Sequence, residues 1–445
     1  MGIKNISNAL LRKPVRNLVL LALLARLLTA LFYQHVTTFP DSFGYTPLAK
    51  LISAGSLNGY TGERSPGYPM LISLCGNNLT VTAIVQVILG LLTTVIAYNV
   101  ALLAKLGKGP AFFLTLAFSC SLHAIFYETA ILTESLTLLS ILLITFFTLK
   151  FLDSTDWKTA AILSILLGYL VLIKPFYIYL PFAIYIINAL KRVNLKYRLV
   201  NGIIILILPV IAFTGWSYIN KINTGYFTST TYFGINIAQN CVSFAEKAPA
   251  EYKYISNIYV KHREQAIAEH KDVAMSIWFA YPELKKKTGL SDIELNMLLG
   301  RYGKEVIRNN PLDFAKQVFV SWKGFWDVDI YWNYDQFNVS GANKMFLGLW
   351  FIQYAILLAI KLLFLICVPI IVYRSFRDRS VSVEFVLTVV IISTSVLQAA
   401  ATFGTNARYS YPFEFLMGIV VFRIIRNLRS QNSNIFPQRE VLQKL

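Results

Sequence analysis

Apolar runs of spanning length recur along the chain, at about 17–37, 80–104, 110–127, 131–150, 199–217, 347–373, 383–402 and 410–425. Two shorter runs, 157–173 and 176–190, flank Lys174-Pro175. A bilayer core is crossed by roughly 20 apolar residues in a helix, so the pattern predicts an all-α polytopic membrane protein with about ten transmembrane helices. Position 1–217 reads as an N-terminal transmembrane module, 218–345 as a polar, amphipathic insert, and 346–445 as the C-terminal spans and tail.

Charge orients this array. Lys4, Arg12, Lys13 and Arg16 precede the first run, and Lys105, Lys108, Lys150, Lys158, Lys191, Arg192, Lys196, Arg198, Arg374, Arg377, Arg379, Arg423, Arg426, Arg429 and Lys444 fall at the same side of later ones. By the positive-inside rule both termini are expected to be cytoplasmic and the loop 38–78 external. The insert, nearly charge-balanced, is expected outside as a small helical domain, since long loops translocate regardless of charge. Helices are predicted at 251–272, 291–309 and 311–326, with Ser291 and Glu294 as a capping box and Asn310-Pro311 as the break. In the first loop, Tyr45 to Ala54 predicts an interfacial helix with Leu48, Leu51 and Ile52 toward lipid or protein.

Composition narrows the class further. The chain is 56% hydrophobic and 14% charged, against about 25% charged in a globular protein, and its net charge of +18 is absorbed by topology without a nucleic-acid partner. The scattered Cys75, Cys120, Cys241 and Cys367 show no metal spacing and suit apolar packing. Asn78-Leu79-Thr80 and Asn338-Val339-Ser340 match a glycosylation pattern too short to decide anything. No repeat of 20–50 residues or inverted repeat is present, which weighs against a transporter of duplicated bundles.

The informative charges lie on the other face. Asp41, Glu63, Arg64, Glu128, Glu134, Lys174 and Arg408 stand at the external ends of the runs, where an ionisable group near lipid is costly unless it meets water or a partner. Carboxylates there could deprotonate an acceptor, and cations could hold a phosphate leaving group. Each residue also has a plainer reading. Asp41 could cap the interfacial helix, Arg64 could snorkel, Glu134 could sit on a helix N-terminus, and Glu128 could be structural. Lys174 and Arg408 break the positive-inside pattern, which favours function.

Asp41 with Tyr45 and Ala49, then Arg64-Ser65-Pro66-Gly67-Tyr68-Pro69, Thr133-Glu134-Ser135-Leu136, Ile173-Lys174-Pro175, and Ala407-Arg408-Tyr409 with Pro412 resemble the GT-C superfamily of integral-membrane glycosyltransferases. The resemblance is to the bacterial branch related to dolichyl-phosphate-mannose protein mannosyltransferases and lipid A aminoarabinose transferases. It covers 15–200 and, more sparsely, 400–425. It implies a GT-C-like fold in a bacterial plasma membrane and an external active site. There a polyprenyl-phosphate sugar, such as an undecaprenyl carrier, donates to a glycan, lipid or protein acceptor. Asp41 matches the family's general base, Glu134 and then Glu128 the second acid that binds acceptor, and Arg64, Lys174 and Arg408 the phosphate-binding cations. Tyr45, Tyr68 and Tyr409 could stack on sugar rings. Many relatives carry paired acids in the first loop where Ser42 follows Asp41 here, so no metal is expected to be required. Gly324-Phe325-Trp326-Asp327 resembles the oligosaccharyltransferase Trp-Trp-Asp signature only in part; Trp322, Phe325 and Trp326 read instead as packing aromatics. The rival expectations are a transporter or flippase of lipid-linked saccharides or small solutes, and a non-catalytic envelope subunit.

Overall fold

A computed structural model describes residues 3–190, 195–404 and 406–435; Lys191, Arg192 and Lys444 of the expected cytoplasmic clusters lie outside the described residues. Among those described, the regular secondary structure is all helical, apart from one isolated parallel bridge between Thr37 and Ala130. Six helices are long and apolar enough to cross a membrane: Pro14–Phe32, Leu79–Leu103, Glu134–Ser154, Leu195–Thr224, Ala342–Asp378 and Val383–Ala401. The pair Lys108–Ser119 and Leu122–Thr129 makes a seventh if counted as one span bent by 48°. Ser121 causes the break by capping the second piece, its Oγ accepting from Ala124 N. Among the described residues that makes six or seven spans where about ten were expected: the apolar helices Trp157–Ile173 and Pro175–Ala189, separated by Lys174, are each too short to count, and the closing Glu414–Ile435 is interrupted by polar and basic residues. This is an integral membrane protein.

The helix boundaries follow local chemistry. Asn78 starts Leu79–Leu103 by accepting from the amides of Thr80 and Val81, so the side chain of this glycosylation match is spent as a cap. Lys174 leaves helical geometry ahead of Pro175, which suits an X-Pro step. The helix Leu195–Thr224 runs through position 217, and Ala342–Asp378 begins before 346, so the polar insert joins the spans by continuous helices.

That insert has its own core of Ile235, Phe244, Ile255, Tyr259, Ile277, Leu295, Leu299 and Tyr302. Its helices Lys253–Ala268, Asp292–Asn309 and Pro311–Phe325 match the three predicted, and the Ser291–Glu294 capping box forms with both hydrogen bonds. Ser276–Thr288 is a fourth, with Pro282 inside it and Lys285, Lys286 and Lys287 in its last turn. Trp322 donates its indole N–H to Ser395 Oγ at 3.0 Å and Trp326 stacks on Phe364, so these aromatics pack the insert onto the spans. The four cysteines are free thiols.

At the basic end, Arg426 donates to Lys105 O at 2.7 Å and Arg423 pairs with Glu384 at 2.7 Å. The candidate site lies at the opposite end of the same helices. Between the two ends runs a buried ion pair, Arg26 to Glu128, with bonds of 2.7 and 2.5 Å. Gly90 makes room for it: a Cβ there would stand 1.9 Å from Glu128 Oε1. Gly90→Ala is therefore expected to lower stability by about 2 kcal/mol through overpacking against a charged group. Gly348→Ala, where a Cβ meets nothing within 4 Å, should be neutral or slightly stabilising in its helix. Thermal melting of the two variants in detergent checks this; equal melting would contradict the packing role of Gly90.

Candidate functional site

The first loop folds as the helix Pro40–Ser53, longer by a turn than predicted. Leu48 is buried with Tyr60, Trp216, Leu51 and Ile52, so its apolar face meets protein. Phe39 is the N-cap, and its amide donates to Ser42 Oγ, so Asp41 is not the cap of this helix. Both Asp41 oxygens go elsewhere: Oδ1 accepts from Arg64 Nη2 at 2.9 Å and Oδ2 from Arg408 Nη1 at 2.7 Å. Arg408 turns its other edge to Glu134, with Nε and Nη2 each 3.0 Å from Oε1. The same oxygen accepts from Lys174 Nζ at 2.8 Å.

Five side chains from five separated segments thus form one alternating chain, Arg64, Asp41, Arg408, Glu134, Lys174. Three cations against two carboxylates leave it with one excess positive charge. Accessibility grades along it: the Glu134 side chain is 0% exposed, Arg408 9%, Lys174 11%, Arg64 20% and Asp41 32%. Asp41 and Arg64 are the most accessible members, and Glu134, between Arg408 and Lys174, is sealed.

Close backbone approaches set this geometry. A Cβ on Gly67 would lie 2.6 Å from Ile173 N, so only glycine lets the Arg64 loop rest against the helix end that carries Lys174. Gly44 vacates the space filled by the Arg64 side chain, where a Cβ would meet Nε at 2.5 Å. Tyr60 pins the Arg64 backbone through its hydroxyl, which accepts from Arg64 N and donates to Arg64 O. The bridge at Thr37, with Ser42 Oγ donating to Ile131 O at 2.7 Å, ties the Asp41 helix to the turn before Glu134.

Aromatic rings flank the cations. Arg64 Cζ lies 5.1 Å from the Tyr45 and Tyr232 centroids, Arg408 Cζ 5.4 Å from Tyr331, and Lys174 Nζ 4.5 Å from Tyr409, all cation–π distances. Tyr68 is fully buried, edge-on to Tyr45, and donates to Gln86 Oε1 at 2.8 Å, so it offers no ring face for stacking. Glu128 stands apart from this chain, paired with Arg26, and both it and Glu134 are buried.

Sequence reasoning missed Tyr232 and Tyr331. Tyr232 arrives on a clasp between the insert and the first loop, where Thr231 N donates to Gly62 O at 2.8 Å and Thr230 Oγ1 to Glu63 O at 2.6 Å. Tyr331 belongs to the extended strap 327–333 and stacks on Tyr127 with centroids 5.1 Å apart. The strap's alternation was a readable signal: Val328, Ile330 and Trp332 pack in one cluster and Tyr331 in another.

Burial pushes the Asp41 carboxyl up, but Arg408 and Arg64 more than reverse this and hold it well below the usual carboxylate range. Among the described residues no three His, Cys, Asp or Glu side chains gather as a metal site.

No protein-family profile and no curated protein matches the chain. Two solved structures are similar over nearly its full length. One is the archaeal oligosaccharyltransferase AglB from Archaeoglobus fulgidus with an inhibitory peptide and a dolichol-phosphate, at 12% identity and a TM-score of 0.46 over 97% of this chain. The other is the Archaeoglobus fulgidus oligosaccharyltransferase tethered to an acceptor peptide, at 11% identity and a TM-score of 0.46 over 98%. The chain covers 52% of each of those proteins, about half their length.

A depressed folded-state pKa stabilises the fold above the unfolded value, and that contribution drains away as pH falls toward the folded one. Wild type is therefore expected to be more stable than Asp41→Asn at pH 7, with the gap closing below about pH 4. Melting curves across pH 3–7 test this; a gap independent of pH would show that Asp41 is not ionised in these pairs.

Proposed function

We propose that this protein is a GT-C-type glycosyltransferase that moves a sugar from a polyprenyl-phosphate donor to an acceptor on the external face of the membrane. The observation that carries the reading is the alternating ion chain with one cation in excess. A sugar phosphodiester brings one negative charge, which would neutralise the cluster, and Arg64, Arg408 and Lys174 supply the charge-assisted donors that hold phosphate. Its most accessible end, Asp41 and Arg64, is where such a ligand enters.

In this reading the resident pairs are exchanged during catalysis. Asp41 clamped by two arginines is a weak base, because a proton acceptor works best with a pKa near the working pH. As the donor phosphate takes hydrogen bonds from Arg64 and Arg408, Asp41 loses its counter-ions and its proton affinity rises. The acceptor hydroxyl or amine then gives its proton to Asp41 while its lone pair attacks the anomeric carbon. The anomeric carbon–oxygen bond breaks with inversion, and its electron pair leaves on the phosphate, neutralised by the three cations. Glu134 keeps Arg408 and Lys174 in place as their fixed counter-ion. Tyr409, beside Lys174, would stack on the sugar ring, whereas Tyr45, buried between Tyr68 and the Arg64 guanidinium, backs the cation instead. No metal is assigned to any of these steps. The orientation, termini inside and site outside, rests on the positive-inside pattern.

The test is transfer of labelled sugar from a panel of polyprenyl-phosphate donors by the purified chain in lipid. Asp41→Asn is expected to cut turnover by about 100-fold or more with donor binding kept, the range of general-base catalysis. Arg64→Gln and Lys174→Gln should each raise the donor KM about tenfold, the worth of one charge-assisted hydrogen bond. Full turnover in Asp41→Asn would move the base elsewhere, with Glu134 and then Glu128 the next carboxylates to replace. No turnover from any donor would defeat the enzyme reading and turn attention to transport in proteoliposomes.

A further inference from the structure

Lys361 stands near the middle of the 37-residue helix Ala342–Asp378, in an otherwise apolar run, and its side chain is 1% exposed. A buried ammonium at this depth is expensive, and a hydrophobic residue of the same length would fill the space at no such cost. Its head group has three partners. Nζ donates to Asp327 O at 2.6 Å and to Ser410 Oγ at 2.7 Å, and it pairs with Glu414 Oε1 at 2.9 Å. The other Glu414 oxygen lies 3.0 Å from His123 Nδ1.

All three partners belong to segments that carry or cover Arg408. Ser410 closes the four-residue turn Ala407–Ser410 that bears Arg408, and its hydroxyl also donates to Ala407 O at 2.8 Å. Glu414 opens the helix that follows this turn. Asp327 begins the strap whose Tyr331 ring lies over the Arg408 guanidinium. Arg408 itself reaches two carboxylates with a rigid fork, so a shift of its turn by an ångström breaks one or both pairs. Lys361 touches neither Arg408 nor its partners.

We propose that Lys361 is a positioning residue, whose ammonium fixes Arg408 between Asp41 and Glu134 by fastening the 407–410 turn and the 327–333 strap to the same point. The consequence for phosphate binding rests on the function proposed above; the placement of Arg408 does not.

Two readouts on the full chain in nanodiscs separate these. The first is phenylglyoxal labelling of arginines read by mass spectrometry, with the exposed Arg377 as internal reference. Arg408, shielded in wild type, should label faster in Lys361→Met, and Arg377 should not change. Because Lys361→Met takes from the buried Glu414 its ammonium partner, leaving only His123, and can fail to fold, the charge-neutral pair Lys361→Met with Glu414→Gln is measured alongside, with melting to confirm a folded sample. Wild-type protection of Arg408 in either folded variant would overturn the proposal. The second readout is binding of farnesyl phosphate. The Lys361 variants should bind about tenfold more weakly, the worth of one misplaced charge-assisted contact. They should add no further loss in an Arg408→Gln background, where there is no guanidinium left to position. A full additional loss in that background would mark Lys361 as a structural staple only and overturn the proposal. Absence of farnesyl phosphate binding in wild type would defeat the functional reading, and the labelling result would still decide the role of Lys361.

Discussion

The molecule is organised around alternation of charge. Arg64, Asp41, Arg408, Glu134 and Lys174 come from the first loop, a short turn near the C-terminus and the ends of two spans, and each interior member has opposite charges on both sides. Removing one interior charge would leave two neighbours underpaired in a largely desolvated place, a costly outcome. The surrounding devices all act to keep the order intact. Gly67 brings one loop against a helix end, Gly44 opens a slot for Arg64, and the Thr37 bridge holds the Asp41 and Glu134 segments in register.

This arrangement also separates two tasks that a carboxylate can perform. Glu134 is sealed and meets two cations at a single oxygen, which suits a permanent counter-ion. Asp41 is partly exposed and divides its oxygens between two arginines that an incoming anion could claim. The same residue type is therefore sealed between two cations at one place in the chain and partly exposed between two others at another, the difference on which the proposed exchange rests. Binding energy spent on displacing the Asp41 pairs would be returned as basicity, a coupling that favours reaction over mere retention of ligand.

The spans and the five ionic residues were legible in the sequence because they break opposite rules: apolar runs stand out by length, and Lys174 and Arg408 stand out as bases on the wrong face. What escaped was pairing over long sequence separations. Glu128 was grouped with the site because its partner, Arg26, lay unnoticed inside an apolar run, although an ionisable residue in such a run demands a partner. Lys361 carried the same signal. Tyr232 escaped for a different reason, since an aromatic in a loop has no periodicity and its place depends on tertiary contacts; for Tyr331 the alternation of the strap was legible, but not that its ring meets Arg408. The helix Ser276–Thr288 was hidden by Pro282 and by the lysine run, both of which read locally as punctuation or solvent.

The clasp between Thr230–Thr231 and Gly62–Glu63 bears on how such a protein can be divided. Tyr232, anchored by that clasp, is one of the two rings enclosing Arg64, so the polar insert contributes to the wall of the ionic cluster. A cut or an exchange of the insert at position 225 would carry away part of the cluster's lining together with the domain. The natural seam lies beyond residue 232, and any chimaera built to transplant recognition between related chains would have to leave this short stretch with the membrane module.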